Sequence, residues 1–190
     1  MSDRQGGDLD STKLQELFGQ LSEILDSRGQ TAQLFVVGGA AMALAYDSSR
    51  FTRDVDAIFV PAQLVRDLAD ELRGDHGLNA GWINDAAKGF MPGQDDQART
   101  VFESDALSVQ VASPEYLLAM KLYAARDERD LDDAVKLYRI AGYSTAEEGI
   151  ALLNRSYPAN QLMPRHQYVV ADVAARANTV TLFAPWRSTD

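Results

Sequence analysis

The sequence predicts an α/β (α+β) fold: a mixed half of strands and helices, then a helical half, joined near Ser113. Three observations predict it. Up to residue 112, short apolar runs bounded by Gly, Pro or Asp alternate with stretches of helical periodicity. Ser113-Pro114 places a capping residue before a proline, the usual opening of a helix. From there to about residue 178 most of the chain reads as helix. The expected organisation is a flexible tail over 1–10, a core over 11–112, a helical region over 113–180 and a tail over 181–190. There is no internal repeat and no low-complexity segment.

Taken in order, Thr12 followed by Gln15 resembles a capping box. Leu14, Phe18, Leu21 and Leu25 then recur at helical spacing, so a first helix runs to about Ser27. Residues 34–37 are an apolar strand stopped by Gly38-Gly39, with a small-residue helix behind it over 40–46 and a loop over 47–50. Residues 54–60 read as a second strand, stopped by Pro61. Leu64, Val65, Leu68 and Leu72 mark a helix that ends over Gly74 to Gly77. Residues 81–83 suggest a short strand and 88–97 a loop. Residues 99–103 and 107–111 read as two strands turned at Ser104-Asp105.

Composition narrows the chemistry. The chain has 190 residues, 46% hydrophobic and 24% charged, so it can bury a sizeable core. It has no cysteine, which excludes disulfides and thiolate metal sites, and its two histidines, His76 and His166, are too few for a histidine-rich zinc site. A metal here would be held by oxygen, which favours Mg²⁺ or Mn²⁺. The formal net charge of −10 argues against broad, nonspecific phosphate binding. No apolar run approaches the ~18 residues of a membrane span. The first ten residues lack the apolar stretch of a secretory signal, so the default expectation is a cytoplasmic chain without a membrane partner.

The chemistry points to the strand opening at Asp54-Val55-Asp56. Alternate strand residues share a face, so Asp54 and Asp56 are expected side by side. Two such carboxylates repel unless a cation lies between them. An isolated Asp-x-Asp is more often a solvated strand start. Here it follows a strand, Gly38-Gly39, a short helix and a loop. Glycines let backbone N–H groups approach phosphate, and the helix behind them favours anions. Arg50, Thr52 and Arg53 flank the pair; Arg suits bidentate phosphate contact and Thr52 can hydrogen-bond the turn. Solvated loop charge explains Arg53 as well. Trp82 and Trp186 could stack on a base, with core and chain-end packing the plainer readings.

Further on, Lys121 is the single charge in residues 116–125 and shares a helix face with Leu117, Leu118 and Ala125. Its ammonium either reaches a site, where it would offset triphosphate charge, or snorkels from an apolar surface. Asp130 and Asp133 lie on one face of the next helix, as a further carboxylate for the site, as holders of Lys121, or as a salt-bridged helix start with Arg126 and Arg129. Arg155, Arg165, His166 and Arg176 could form a basic surface for RNA or be scattered charges.

The segments Phe35-Val-Val-Gly-Gly-Ala-Ala-Met-Ala-Leu-Ala45 and Arg50-x-Thr52-x-Asp54-Val-Asp56 resemble the DNA polymerase β-type nucleotidyltransferase superfamily. The closest likeness is to small bacterial toxin–antitoxin members, MenT-type and AbiEii-like. The likeness continues at Ser113 to Lys121 and at Arg126-x-x-Arg129-Asp130-Leu-x-Asp133. It implies a polymerase β-like core with a mixed sheet, followed by helices. It implies transfer of a nucleoside monophosphate from an NTP to an acceptor hydroxyl, most readily the tRNA 3′ end, by a toxin under a cognate antitoxin. Its site would be Asp54 and Asp56 as metal ligands, Lys121 and Asp133 as further catalytic groups, and Gly38, Gly39, Arg50, Thr52 and Asp130 as nucleotide contacts. An antitoxin-like enzyme modifying a partner protein, or a non-catalytic nucleotide-binding module, are the alternatives. The superfamily's third metal carboxylate is expected on the strand 107–111, which offers Ser108 and Gln110 instead.

Overall fold

The structure, a computed structural model, describes residues 7–179. Trp186 and the tail expected over 181–190 lie outside the described residues. The chain divides into two compact units. The first runs to Met91 and resumes over Asp95–Ser113; the second takes Pro92–Gln94 and the chain from Pro114 onward.

The first unit is built on a five-stranded mixed sheet in the order β3-β2-β1-β5-β4. Its strands are β1 (Ala32–Val36), β2 (Val55–Val60), β3 (Ile83–Asn84), β4 (Arg99–Glu103) and β5 (Leu107–Val111). Central β1 runs antiparallel to β2 and parallel to β5; β3 is parallel to β2, and β4 antiparallel to β5. Strand alternation separates two faces. Ala32, Leu34, Val36, Val55, Ala57, Phe59, Leu107, Val109 and Val111 are buried. Helices α1 (Ser11–Ser27) and α3 (Ala62–His76) pack on the sheet, adding Leu14, Leu17, Phe18, Leu21 and Leu25 from α1 and Val65, Leu68 and Leu72 from α3. Each fully buried aliphatic side chain contributes about 1.5–3 kcal/mol of transfer free energy. Trp82 is core: it is 1% exposed and its indole N–H donates to the Ala69 carbonyl at 2.8 Å. Gly77 closes α3 at φ +64°, the left-handed cap for which glycine is suited.

Several boundaries differ from the sequence expectation. The cap of α1 is Asp10, whose carboxylate accepts from Lys13 N at 2.8 Å; Thr12 lies inside the helix. Leu9, in the stretch expected as a tail, is buried and forms an isolated antiparallel bridge with Thr52. Strand β2 begins at Val55, so Asp54 stands in the bend before it. The helix after β1 starts at the glycines: α2 (Gly38–Ala41) continues as a π-helical segment, Met42–Tyr46.

The second unit holds four longer helices, α4 (Pro114–Ala124), α5 (Glu128–Ile140), α6 (Ala146–Ser156) and α7 (Pro164–Thr179). Helix α4 is apolar nearly all round, burying Tyr116, Leu117, Leu118, Ala119, Met120 and Leu122, as a helix central to a bundle must. At the start of α6, Glu148 accepts from the backbone N–H of Ser144 and of Thr145, at 2.7 and 2.8 Å. Gly149 admits close packing: a Cβ there would stand 2.7 Å from Val170 Cγ1 and 2.8 Å from the Tyr138 hydroxyl.

Candidate active site

In the first unit, β1 leads into Val37 and Gly38. The Val37 N–H donates to the Asp56 carbonyl at 2.9 Å, laying the glycine turn beside the start of β2. Gly38 has φ +64°, and a Cβ there would meet the Asp56 Oδ2 at 3.1 Å. At Gly39 a Cβ would meet the Thr52 Oγ1 at 2.9 Å and the Arg50 Nη2 at 3.5 Å. Both glycines therefore owe their identity to the residues facing them, the first also to its backbone. Gly38, Gly39, Arg50, Thr52 and Asp56, far apart in the chain, are brought into one locus.

Thr52 organises this locus. Its backbone exchanges hydrogen bonds with Leu9, N to O at 2.7 and 3.0 Å. Its hydroxyl donates to the Asp54 carbonyl at 3.0 Å, with the Asp54 Oδ1 at 3.5 Å. The bend that presents Asp54 is thus fixed by side-chain and backbone contacts together. Asp54 is exposed and Asp56 half-buried. The Arg50 guanidinium donates to the Phe51 carbonyl at 2.6 Å, while Arg53 is largely exposed, 3.7 Å from Asp8. Leu9 is the contributor that sequence reading missed. Its only local signal is a lone apolar residue in a polar stretch.

The strand register places Gln110 opposite Phe35, which is opposite Ile58. Ile58 lies two residues beyond Asp56, so Gln110 shares the face of Asp56 but stands roughly 7 Å away along the strand direction and, two strands over, roughly 10 Å across the sheet. Among the described residues, no group of three or more His, Cys, Asp or Glu is arranged to hold a metal. The Asp54–Asp56 pair is nevertheless a suitable donor set for one hard cation. Mg²⁺ commonly takes one or two carboxylates and completes its shell with water and substrate phosphate oxygens.

In the second unit, Lys121 donates to Asp130 Oδ1 at 2.7 Å and to Asp133 Oδ2 at 2.9 Å. The Asp133 side chain is 2% exposed and that of Lys121 12%. Asp130 also accepts from the Arg126 backbone N–H at 3.1 Å, and its own N–H donates to the α5 cap, Asp127. Burial raises the Asp130 pKa, but the Lys121 hydrogen bond and charge, with Arg126, outweigh it and hold the carboxyl below its ordinary value. The two carboxylates thus fix the lysine, one of the readings open from sequence.

Three of the four basic residues considered for RNA have other partners. Arg155 pairs with Glu115 and Arg176 with Glu128 and Asp172. His166 is 3% exposed, its Nδ1 accepting from Met163 N at 2.9 Å. Burial, then the Arg165 charge, lowers its pKa.

A mixed five-stranded sheet flanked by helices is consistent with a nucleotidyltransferase domain. The chain belongs to the family described as "Nucleotidyltransferase of unknown function (DUF6036)", whose model matches residues 12–140, more than half its length. That span includes the Asp54–Asp56 locus and the Lys121–Asp130–Asp133 cluster. No curated protein and no solved structure matches the chain. Among the described residues, no helix is long and apolar enough to cross a membrane.

Proposed function

We propose that this protein transfers a nucleoside monophosphate from an NTP to an acceptor hydroxyl with the help of a divalent cation, Mg²⁺ or Mn²⁺. The carrying observation is the fit of Gly38 and Gly39 against Asp56 and Thr52, with no room for a Cβ on the second glycine. The missing side chains let the turn lie against the Asp56 carboxylate and the Thr52 hydroxyl, so a phosphate held at the turn would stand beside the carboxylates that would hold the cation. Asp54 and Asp56 are the residues that would hold the cation. When bound, it would offset charge on the triphosphate and on the pyrophosphate leaving group. Thr52 holds the bend, and Arg50 supplies a guanidinium beside the glycines. The acceptor oxygen attacks the α-phosphorus, the α–β bridging bond breaks, and pyrophosphate leaves.

The finer reading comes from the resemblance to MenT-type enzymes. It puts the tRNA 3′ end first as acceptor, within a toxin's role and under a cognate antitoxin, and gives Lys121 and Asp133 catalytic parts and Asp130 a nucleotide contact. The decisive experiment is Asp56→Ala with α-labelled NTPs, Mg²⁺ and an acceptor pool. Transfer should fall by about a hundredfold or more, with the thermal midpoint unchanged. A variant that transfers like the parent would overturn the site.

A further inference from the structure

The sheet of the first unit is covered on one side by α1 and α3; its other side carries Asp56. Along that side β5 contributes Ser108 and Gln110, β1 Gln33 and Phe35, and β2 Asp56, Ile58 and Val60, by the register of the strands. At the β3 edge Asn84 stands level with Asp56, and at the β4 edge Thr100 and Glu103 stand level with Gln110 and Ser108. Gln33, Phe35, Ile58, Val60, Ser108 and Gln110 line a shallow depression of about 240 Å³. It begins one register step from Asp56. Val60 at its far end is 61% exposed.

The chemistry of this face is selective. It presents carboxamides, hydroxyls, aliphatic carbon and an aromatic ring. Its charged residues are both acidic, Asp56 and Glu103, the latter accepting from the Ser108 hydroxyl at 2.7 Å. Among the described residues, no lysine or arginine lines the depression. The nearest cation in sequence, Arg99 of β4, stands opposite buried Val111 and turns its guanidinium to the Ala45 carbonyl, at 3.3 Å, and over the Tyr46 ring; Arg50 and Arg53 belong to the stretch before β2, and Lys88 follows β3 without lining the depression. Nucleic acids are held chiefly through phosphate, by Lys and Arg, and an RNA laid in this depression would find neither among the described lining residues. An apolar strip rimmed by amides and hydroxyls suits a polypeptide, whose interfaces combine apolar anchors with backbone hydrogen bonds. Glu103 adds a partner for a basic side chain.

We propose that the acceptor docks on this open sheet face and is a polypeptide, with basic and apolar residues flanking the modified Ser, Thr or Tyr. This rests on the nucleotidyl-transfer reading and names its substrate class, in place of the tRNA acceptor that the resemblance implies. In the reaction, the side-chain oxygen bonds to the α-phosphorus of the NTP. The α–β bridging P–O bond breaks, its electron pair leaves with pyrophosphate, and the hydroxyl proton passes to solvent water. The product is a nucleotidylated polypeptide, with no redox change.

The test incubates the full chain with α-labelled NTPs and Mg²⁺, adding either nuclease-treated protein or deproteinised RNA from one cell extract. Label should appear in protease-sensitive, nuclease-resistant material, and Gln33→Arg and Val60→Arg should each reduce it at least tenfold. The labelled polypeptide, purified unmodified, should bind the parent and Asp56→Ala by calorimetry and bind Val60→Arg at least tenfold more weakly. Label in RNA, or label in polypeptide that the two face variants leave unchanged, overturns the proposal. So does absence of label in both pools while Mg²⁺–NTP binding persists. Loss of Mg²⁺–NTP binding by the parent chain would instead remove the transfer reading beneath it.

Discussion

Two sets of carboxylates make an instructive contrast. In the first unit, Asp54 and Asp56 sit on a bend and a strand start, exposed and half-buried. In the second, Asp130 and Asp133 close around one ammonium, and Asp133 is almost wholly buried. A buried charge is tolerated only when paired and hydrogen-bonded, so the second set has its counter-ion built in. The first set is shaped by what glycine leaves out, a Cβ at either of two positions. The same residue type thus holds a fixed cation in one unit and, on the proposed function, would hold a diffusible one in the other.

The contrast can be broken most forcefully at Lys121. Lys121→Met leaves Asp133 buried without its ammonium and should cost about 3–5 kcal/mol, read by urea unfolding. Replacing Lys121 and Asp133 together by Met and Leu should recover most of that. A Lys121→Met chain of full stability but without transfer activity would show that the lysine acts on substrate, as the resemblance implies.

Next come the glycines. Gly39→Ala forces a Cβ to 2.9 Å from the Thr52 hydroxyl. Overpacking of this kind costs roughly 1–3 kcal/mol, and NTP affinity measured by calorimetry should fall with it. Gly149→Ala, crowding Val170 and Tyr138, should cost a similar ~1–3 kcal/mol and leave NTP affinity intact. Equal loss of affinity in both variants would erase the distinction between the units.

The smallest effect is a dependence on pH. His166 stands in the first turn of α7 and accepts the Met163 N–H, a back-reaching cap that protonation at Nδ1 abolishes. Its folded pKa lies below its unfolded value of ~6.5. The neutral form is therefore favoured by folding. That contribution is complete above pH ~6.5 and is lost as pH falls through the lowered folded value. Unfolding free energy measured from pH 7 toward pH 5 should decline, and His166→Asn should flatten the slope. Asp130, also lowered, acts the same way at more acid pH, below the ordinary carboxylate range near ~3.9.

Much of the fold was legible because local patterns carried it. The alternation in 99–103 and 107–111, with a turn at Ser104-Asp105, marks β4 and β5 at the observed bounds. Ser113-Pro114 marks the start of α4 for the same local reason. Strand order was not legible. The pairing of β1 with β5 joins residues about 75 positions apart by burial and main-chain hydrogen bonds, which leave no local trace. At the candidate site, the residue types and their order suggested a shared locus, and the spacing of Asp54 and Asp56 suggested one strand. The bend at Asp54 depends on Thr52 and Leu9, a contact across the chain that periodicity cannot register. The Lys121 environment was half legible: helical spacing put Asp130 and Asp133 on one face, but only packing decides which cation they meet.

The tight seating of the glycine pair also bears on how such a protein can diversify. Position 39 admits no side chain without displacing Thr52, and position 38 combines a left-handed backbone with a carboxylate 3.1 Å from the missing Cβ. Variation there is closed off one residue at a time. Gln33 and Val60 are exposed on the sheet and free to change with little cost to folding. Selection for a new acceptor therefore has a permissive surface to work on, one register step from a turn that it must leave alone.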